Sequence, residues 1–231
     1  MNDAISEQPL VAIVACLDEE LSIATVLDDL ARIGVGRVIV AVDPRSTDGT
    51  ARLADAAGAQ VVRSTSSGYD GPCLAALAVL ADEEFDGNVM FLDAGNKYEM
   101  DSVAALLDRL DAAADLTFGV RDTQMKWHQR MGNDMFKLML YARFRRRVRD
   151  VSSLRVVQMS VITELQLVDR RYSLPFQTIV RALALDKTIR YVPIRCTPNR
   201  TGVSKVSGEW RNSARAAGQM LRSLTETRAR R

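Results

Sequence analysis

Short apolar runs alternate with longer amphipathic stretches through the first half of the chain. The runs "LVAIVACL" (10–17), "RVIVAV" (37–42), "AQVV" (59–62), "NVMFL" (88–92) and "DLTFGV" (115–120) are rich in β-branched residues and read as strands. They are apolar almost throughout, which is the pattern of strands buried on both faces of a parallel sheet. Between them, residues 20–33, 48–57, 72–84 and 99–113 carry helical periodicity. Asp48 stands where it can cap the second of these helices, and Gly58 closes its far end. Alternation of this kind predicts a doubly wound α/β sheet, whose ligands bind at the carboxyl ends of the strands.

The second half is less regular. A helix is expected over 131–149, then "LRVVQMS", a helix near 174–186, the strand "IRYVPIRC" (189–196) and a basic helix over 209–229. No internal repeat or low-complexity linker divides the chain. The expectation is one domain over 10–222, with a nucleotide half (10–120) and an acceptor half (121–222), between a tail at 1–9 and a basic tail at 223–231. The helix at 131–149 carries two apolar stripes on nearly opposite sides. One is Met131, Met135, Leu138 and Ala142; the other is Phe136, Leu140, Phe144 and Val148. One stripe can face the core. The Phe136 stripe is expected to meet lipid or a second subunit, beside Arg145, Arg146, Arg147 and Arg149.

Composition narrows the class. A chain of 231 residues with 47% hydrophobic content can build one substantial core and is too apolar for disorder. The first nine residues are polar and acidic, unlike a signal peptide, and no apolar run approaches the ~18 residues of a membrane span. Cys16, Cys73 and Cys196 lack disulfide or zinc spacing, which suits a reducing cytoplasm. The net charge of +2 hides a division: residues 1–120 hold 7 basic and 21 acidic side chains, and residues 121–231 hold 24 and 8. A basic half implies an anionic partner such as a phosphate or a membrane surface. The arginine run "ARFRRRVR" comes without any nucleic-acid module, so nucleic acid is not expected.

The chemistry sits at strand ends. "CLDEE" follows the first strand without a Gly-x-Gly-x-x-Gly turn, which argues against a dinucleotide cofactor. Asp43 ends the second strand, where an acid accepts hydrogen bonds from a base or ribose, or else caps the next helix. Asp48 already offers the cap, which favours the ligand role for Asp43. Asp93 ends the fourth strand in "FLDAGNKY", a common place to hold a metal ion or a sugar nucleotide. The single histidine, His128 beside Trp127, has no triad or metal set around it in the sequence.

These segments resemble, in order and from about residue 10 to 222, an inverting family-2 glycosyltransferase of the GT-A fold, near the soluble dolichyl- and polyprenyl-phosphate sugar synthases. "ACLDEE", "VDPRSTDGT", "GYDGPCLAAL", "FLDAGNKY", "FGVRD", "QRMGN" and "RTGVSKVSGEWRNSARA" carry the resemblance. It implies transfer of a sugar from a nucleotide-diphosphate donor to an acceptor, with polyprenyl phosphate the expected one. Asp43 would hold the base, with Asp18 and Glu19 near the nucleoside and Asp93 near the diphosphate. Arg121, Arg130, Arg200, Ser204 and Lys205 match positions that face the acceptor phosphate and the diphosphate. A divalent metal, magnesium or manganese, would sit at Asp93. An anionic membrane surface and a homodimer are the further partners expected.

The departures from the pattern carry their own chemistry. Gly95 replaces the second carboxylate of the family's Asp-x-Asp, Lys97 replaces a glutamine, Asp18 an asparagine, and Pro44 an acid. Gln177 stands where relatives carry glutamate. Losing a carboxylate and gaining an ammonium makes the site two charges more positive, which is what a divalent ion contributes. At ~4 Å and an effective dielectric near 20, each unit charge is worth about 4 kcal/mol against a phosphate charge. Lys97 would therefore join Asp93 as a catalytic group, assisting departure of the diphosphate without metal. The alternative is a degenerate nucleotide or lipid-phosphate binding module. A nucleotidyltransferase fits less well, because the first strand lacks a glycine-rich basic loop.

Overall fold

The structure, a computed structural model, describes residues 8–95, 98–110, 114–121 and 127–196, with the backbone alone for 127–132. The elements in order are β1 (Leu10–Cys16), α1 (Ile23–Arg32), β2 (Arg37–Val42), α2 (Thr50–Ala56), β3 (Gln60–Arg63), α3 (Asp70–Asp82), β4 (Asn88–Asp93), α4 (Met100–Leu107), β5 (Leu116–Arg121), α5 (Trp127–Phe144), β6 (Arg155–Gln158), α6 (Met159–Leu165), α7 (Leu174–Ala184) and β7 (Ile189–Ile194). Each strand expected from the apolar runs is present to within one or two residues.

The strands form one seven-stranded sheet in the order β3-β2-β1-β4-β6-β5-β7. All neighbours pair parallel except β6, which runs antiparallel to both β4 and β5. Alternate residues of β1 and β4 feed two cores. Val11, Ile13, Val89 and Phe91 pack with Cys73, Ala76 and Leu80 of α3 on one face. Ala12, Val14, Met90 and Leu92 pack with Ile23, Leu30, Val103 and Leu106 of α1 and α4 on the other. Both faces are covered, so the period of two that marks a half-exposed strand is missing from the sequence.

The helix ends follow local chemistry. Gly49 is the first cap residue of α2, and Asp48 just before it accepts the Thr50 N–H at 3.0 Å. Gly58, at φ +80°, closes the helix with its N–H on the Asp55 carbonyl at 2.9 Å.

Helix α5 corrects two expectations. It ends at Phe144, short of 149, because Arg145 turns into the left-handed region at φ +57°. Its buried side is the Phe136 stripe: Phe136 and Leu140 are buried, Phe144 packs against the same core, and Val148, past the helix end, is buried there too. Phe136 meets Phe176 of α7 edge-on at 5.1 Å between ring centres, and this contact selects which stripe turns inward. The open side carries Met135, Leu138, Tyr141 and Ala142, with Leu138 66% exposed. Helix α6 has no counterpart among the expected elements. The basic helix expected over 209–229 lies outside the described residues.

Candidate functional site

The strand order reverses at β1, with β2 on one side and β4 on the other. Ligands of open α/β sheets collect at such a switch point. Asp43 directly follows β2, its N–H on the Cys16 carbonyl at 2.9 Å, and Asp93 pairs with Ala15 across β1·β4. The two acids therefore flank the carboxyl end of β1, two strand spacings or about 10 Å apart.

Asp43 is almost fully buried, and its carboxylate is well supplied with donors. One oxygen accepts from the Arg45 N–H and Nε at 2.9 Å each; the other accepts Arg45 Nη2 at 2.8 Å and the Gly68 N–H at 2.7 Å. Burial pushes this carboxyl up, but the hydrogen bonds from Arg45 and Gly68 outweigh it and hold the group below the ordinary carboxylate range. Gly68 lies at φ +109°, where a Cβ would strike the Arg171 backbone, so glycine is needed to present that N–H.

Asp18 and Glu19 zip the loop after β1 to the loop after β2. Asp18 accepts the Thr47 N–H at 2.8 Å, and its own N–H donates to Ser46 Oγ at 3.1 Å. The Glu19 N–H donates to Thr50 Oγ1 at 2.8 Å, and Ser22 Oγ donates to the Glu19 carboxylate at 2.9 Å. Glu20 reciprocates with Asp48 and the Gly49 N–H. The loops after β1 and β2 are thus held by mutual contacts.

Asp93 accepts Ser153 Oγ at 2.7 Å, and that same hydroxyl lies 2.7 Å from the buried Tyr98 hydroxyl. Tyr98 itself is pinned by an antiparallel bridge to Cys196 beyond β7. A divalent ion needs more oxygen ligands than the described side chains of this corner present. Among the described residues no cluster of three or more His, Cys, Asp or Glu side chains exists, and Gly95 brings no side chain. The described donors alone do not make up a metal's coordination shell.

Arg121, at the end of β5, clamps Asp150 with a two-pronged contact: Nε to Oδ2 and Nη2 to Oδ1, both 2.9 Å, while its N–H donates to Oδ2 at 3.1 Å. Gln177 is equally engaged. Its amide nitrogen donates to the Val168 carbonyl and Ser173 Oγ at 2.7 Å each, and its oxygen accepts the Val168 N–H at 3.1 Å. Lys97, Arg200, Ser204 and Lys205 lie outside the described residues, as does the side chain of Arg130 on α5.

Two residues of this region were not singled out from the sequence. Asp70, fully buried at the start of α3, accepts the N–H groups of Arg170, Ser173 and Leu174 and the Ser173 hydroxyl, and so ties the α7 entry to the Gly68 loop. Its signal was an acid ahead of Gly-Pro at a helix start. Arg155 is fully buried inside β6. Its signal was a lone charge in the apolar run "LRVV".

No family model matches the chain. Its relatives include a glycosyltransferase of Mycobacterium tuberculosis (strain H37Rv) and one of Mycobacterium bovis, neither characterized. Each is 33% identical over 210 residues, covering 87% of this chain and 91% of its own length. Among solved structures, glucosyl-3-phosphoglycerate synthase from Mycobacterium tuberculosis with Mn2+, UDP and phosphoglyceric acid matches with a TM-score of 0.77 at 17% identity, covering 97% of this chain and 80% of that one. The same enzyme with Mn2+, UDP-glucose and phosphoglyceric acid matches with a TM-score of 0.75 at 17% identity, over 97% and 81%. At such identity the likeness is one of fold. The chain belongs to the glycosyltransferase family of these mycobacterial proteins and is built on the GT-A fold.

Proposed function

We propose that this glycosyltransferase moves a hexose from a nucleoside-diphosphate sugar to a phosphate-bearing acceptor, a polyprenyl phosphate, with inversion, at the cytoplasmic face of an anionic membrane. The observation that carries the donor side is the pair Asp43 and Asp93 flanking β1 at the switch point. The phosphate oxygen of the acceptor would attack the anomeric carbon opposite the bond to the diphosphate, which leaves with its electron pair. A phosphate monoester is largely ionised at neutral pH, its second pKa being about 6, and needs no general base. The engagement of Gln177 in its own loop suits that economy. Lys97 would meet the charge of the leaving diphosphate, and Arg130, Arg200, Ser204 and Lys205 would gather around the acceptor, as the family resemblance implies. No step requires a metal. The UDP, UDP-glucose and phosphoglyceric acid held by the solved neighbours support a nucleotide-sugar donor and a phosphate-bearing acceptor.

The donor assignment is tested by thermal unfolding with UDP, GDP and their sugars, with manganese or with chelator. A cognate nucleotide at 100 times its dissociation constant is expected to stabilise by about 2.7 kcal/mol. Silence toward every nucleoside diphosphate would reject a sugar-nucleotide donor, and binding without transfer to any acceptor would favour the degenerate module.

A second acceptor reading, a small phosphorylated acid, draws on the phosphoglyceric acid of the neighbours. The open face of α5 favours the lipid. Met135, Leu138 and Tyr141 are exposed beside the exposed Arg143, Arg145, Arg147 and Arg149, and each basic residue near an anionic surface adds about 1 kcal/mol. No helix among the described residues is long and apolar enough to cross a membrane, so attachment would be peripheral. Flotation with phosphatidylglycerol liposomes at low salt is expected, with release as salt rises and loss in Met135→Ser/Leu138→Ser. A soluble dimer broken by those changes, with no flotation, would assign the face to a second subunit.

A further inference from the structure

Arg155 is buried with part of its guanidinium unanswered. It is 0% exposed, on the sheet face shared with Phe91 and Phe118, its partners across β4 and β5. Its Nη1 donates to the Ser153 carbonyl at 2.9 Å and to the Tyr69 hydroxyl at 3.3 Å, both uncharged. Nε and Nη2 are buried with no hydrogen-bond partner. A guanidinium stays charged at every physiological pH, and burying it without a counter-ion works against folding. The Phe91 ring, 3.9 Å below the guanidinium carbon, offsets part of that cost by cation–π attraction. Aromatic stacking leaves the two N–H-bearing nitrogens unanswered, and a buried unsatisfied group of this kind calls for a reason outside stability.

Its place supplies the reason. Ser153 joins the two charges of this corner: its carbonyl accepts from Arg155, and its hydroxyl donates to Asp93. Tyr69 heads α3 next to Gly68, whose N–H braces Asp43. Burial, and after it the neighbouring Cys73, push the Tyr69 hydroxyl well up; Arg155 pulls it back, and Asp93 raises it by less. The guanidinium therefore lies over Phe91 of β4, linked through Ser153 to Asp93 and through the Tyr69 hydroxyl to the start of α3.

We propose that Arg155 is a positioning residue for the donor: a fixed internal cation that, through Ser153 and Asp93, makes the end of β4 hospitable to a diphosphate where the described side chains do not fit a metal. This rests on the donor assignment above. Arg155 does not touch the nucleotide; it sets the charge of the surface that does.

The test compares Arg155→Met with Arg155→Lys, two side chains of similar reach with and without the charge. Each is scored for unfolding temperature and for UDP and GDP affinity in chelator. The methionine variant is expected to unfold at or above the wild-type temperature yet to bind the cognate nucleoside diphosphate at least tenfold more weakly. The lysine variant is expected to retain affinity within about threefold of wild type, because it keeps the charge. Wild-type affinity in the methionine variant overturns the inference while leaving the donor assignment intact. So does a fall in unfolding temperature with equal loss of binding in both variants, which marks a structural arginine. Wild-type protein that binds a nucleoside diphosphate only with manganese overturns this inference and leaves the donor assignment standing; silence both with manganese and in chelator removes the two together. Should the methionine variant not fold, Ser153→Ala decides: it cuts the link to Asp93 with the guanidinium in place, and an affinity equal to wild type overturns the inference.

Discussion

Asp70→Ala is expected to lower the unfolding free energy by about 3–5 kcal/mol, the largest single loss among the polar residues of the site. The carboxylate takes the Leu174 N–H at 2.8 Å, the Ser173 N–H at 2.9 Å, the Arg170 N–H at 3.1 Å and the Ser173 hydroxyl at 3.1 Å. Burial raises its pKa, and those four donors recover only part of the shift. Alanine would leave several buried donors unmet and release the first turn of α7. Native domains hold only about 5–15 kcal/mol in total, so the variant should show a much lower urea midpoint. The Gly68 loop should loosen as well, because the Arg171 carbonyl accepts the N–H groups of Tyr69 and Asp70. Amide exchange at 66–71 reads that loosening directly. A variant as stable as wild type would show that the clasp is incidental.

Arg121→Ala is expected to cost about 3 kcal/mol, by stranding the buried carboxylate of Asp150. Resemblance assigns Arg121 to the acceptor phosphate; the geometry gives it a structural partner first. A double-mutant cycle separates the two. If the pair is structural, Arg121→Ala/Asp150→Ala should recover part of the loss of either single change. If Arg121 also meets the acceptor, transfer in the double variant should stay low although stability returns. The pair has a pH signature too. Burial pushes the Asp150 carboxyl up, but the hydrogen bonds and charge of Arg121 pull it further down, so its folded pKa lies below the unfolded value of about 3.9. A depressed acid contributes stability above the unfolded pKa and loses it as pH falls through the folded one. The stability gap between wild type and Asp150→Asn should therefore be constant near neutrality and close below about pH 4.

The central strands were legible because burial on both faces writes itself as unbroken runs such as "LVAIVAC" and "NVMFL". Position along the chain also sufficed to put Asp43 and Asp93 at strand ends. What those acids touch was not legible. Asp43 is answered by Arg45 two residues later, and only a turn of known shape reveals that the guanidinium folds back. Arg121 meets an acid 29 residues away, and Asp70 a helix start 103 residues away. Helix α5 failed for a different reason: both its stripes are apolar, so periodicity alone ranks them equally, and Phe176 on another helix breaks the tie. The run "LRVVQMS" marked the segment of β6, but its place between β4 and β5 and its reversed direction depend on partners rather than on its own four residues.

That inserted strand also governs the order in which the protein can be completed during synthesis. β5 pairs only with β6 and β7, both later in the chain, and the outer edge of β4 stays open until β6 arrives. At about 5–20 residues per second, the stretch from the end of β5 to β6 takes roughly 2–7 s to translate. Through that interval β3-β2-β1-β4 can close as a four-stranded parallel sheet, while an apolar strand, "LTFGV", waits unpaired beside an exposed edge. Open edges beside idle strands are where chains stick to one another. A ribosome that stalls between residues 122 and 152 would therefore hold the nascent enzyme at its most adhesive stage, before it has either Ser153 or Arg155.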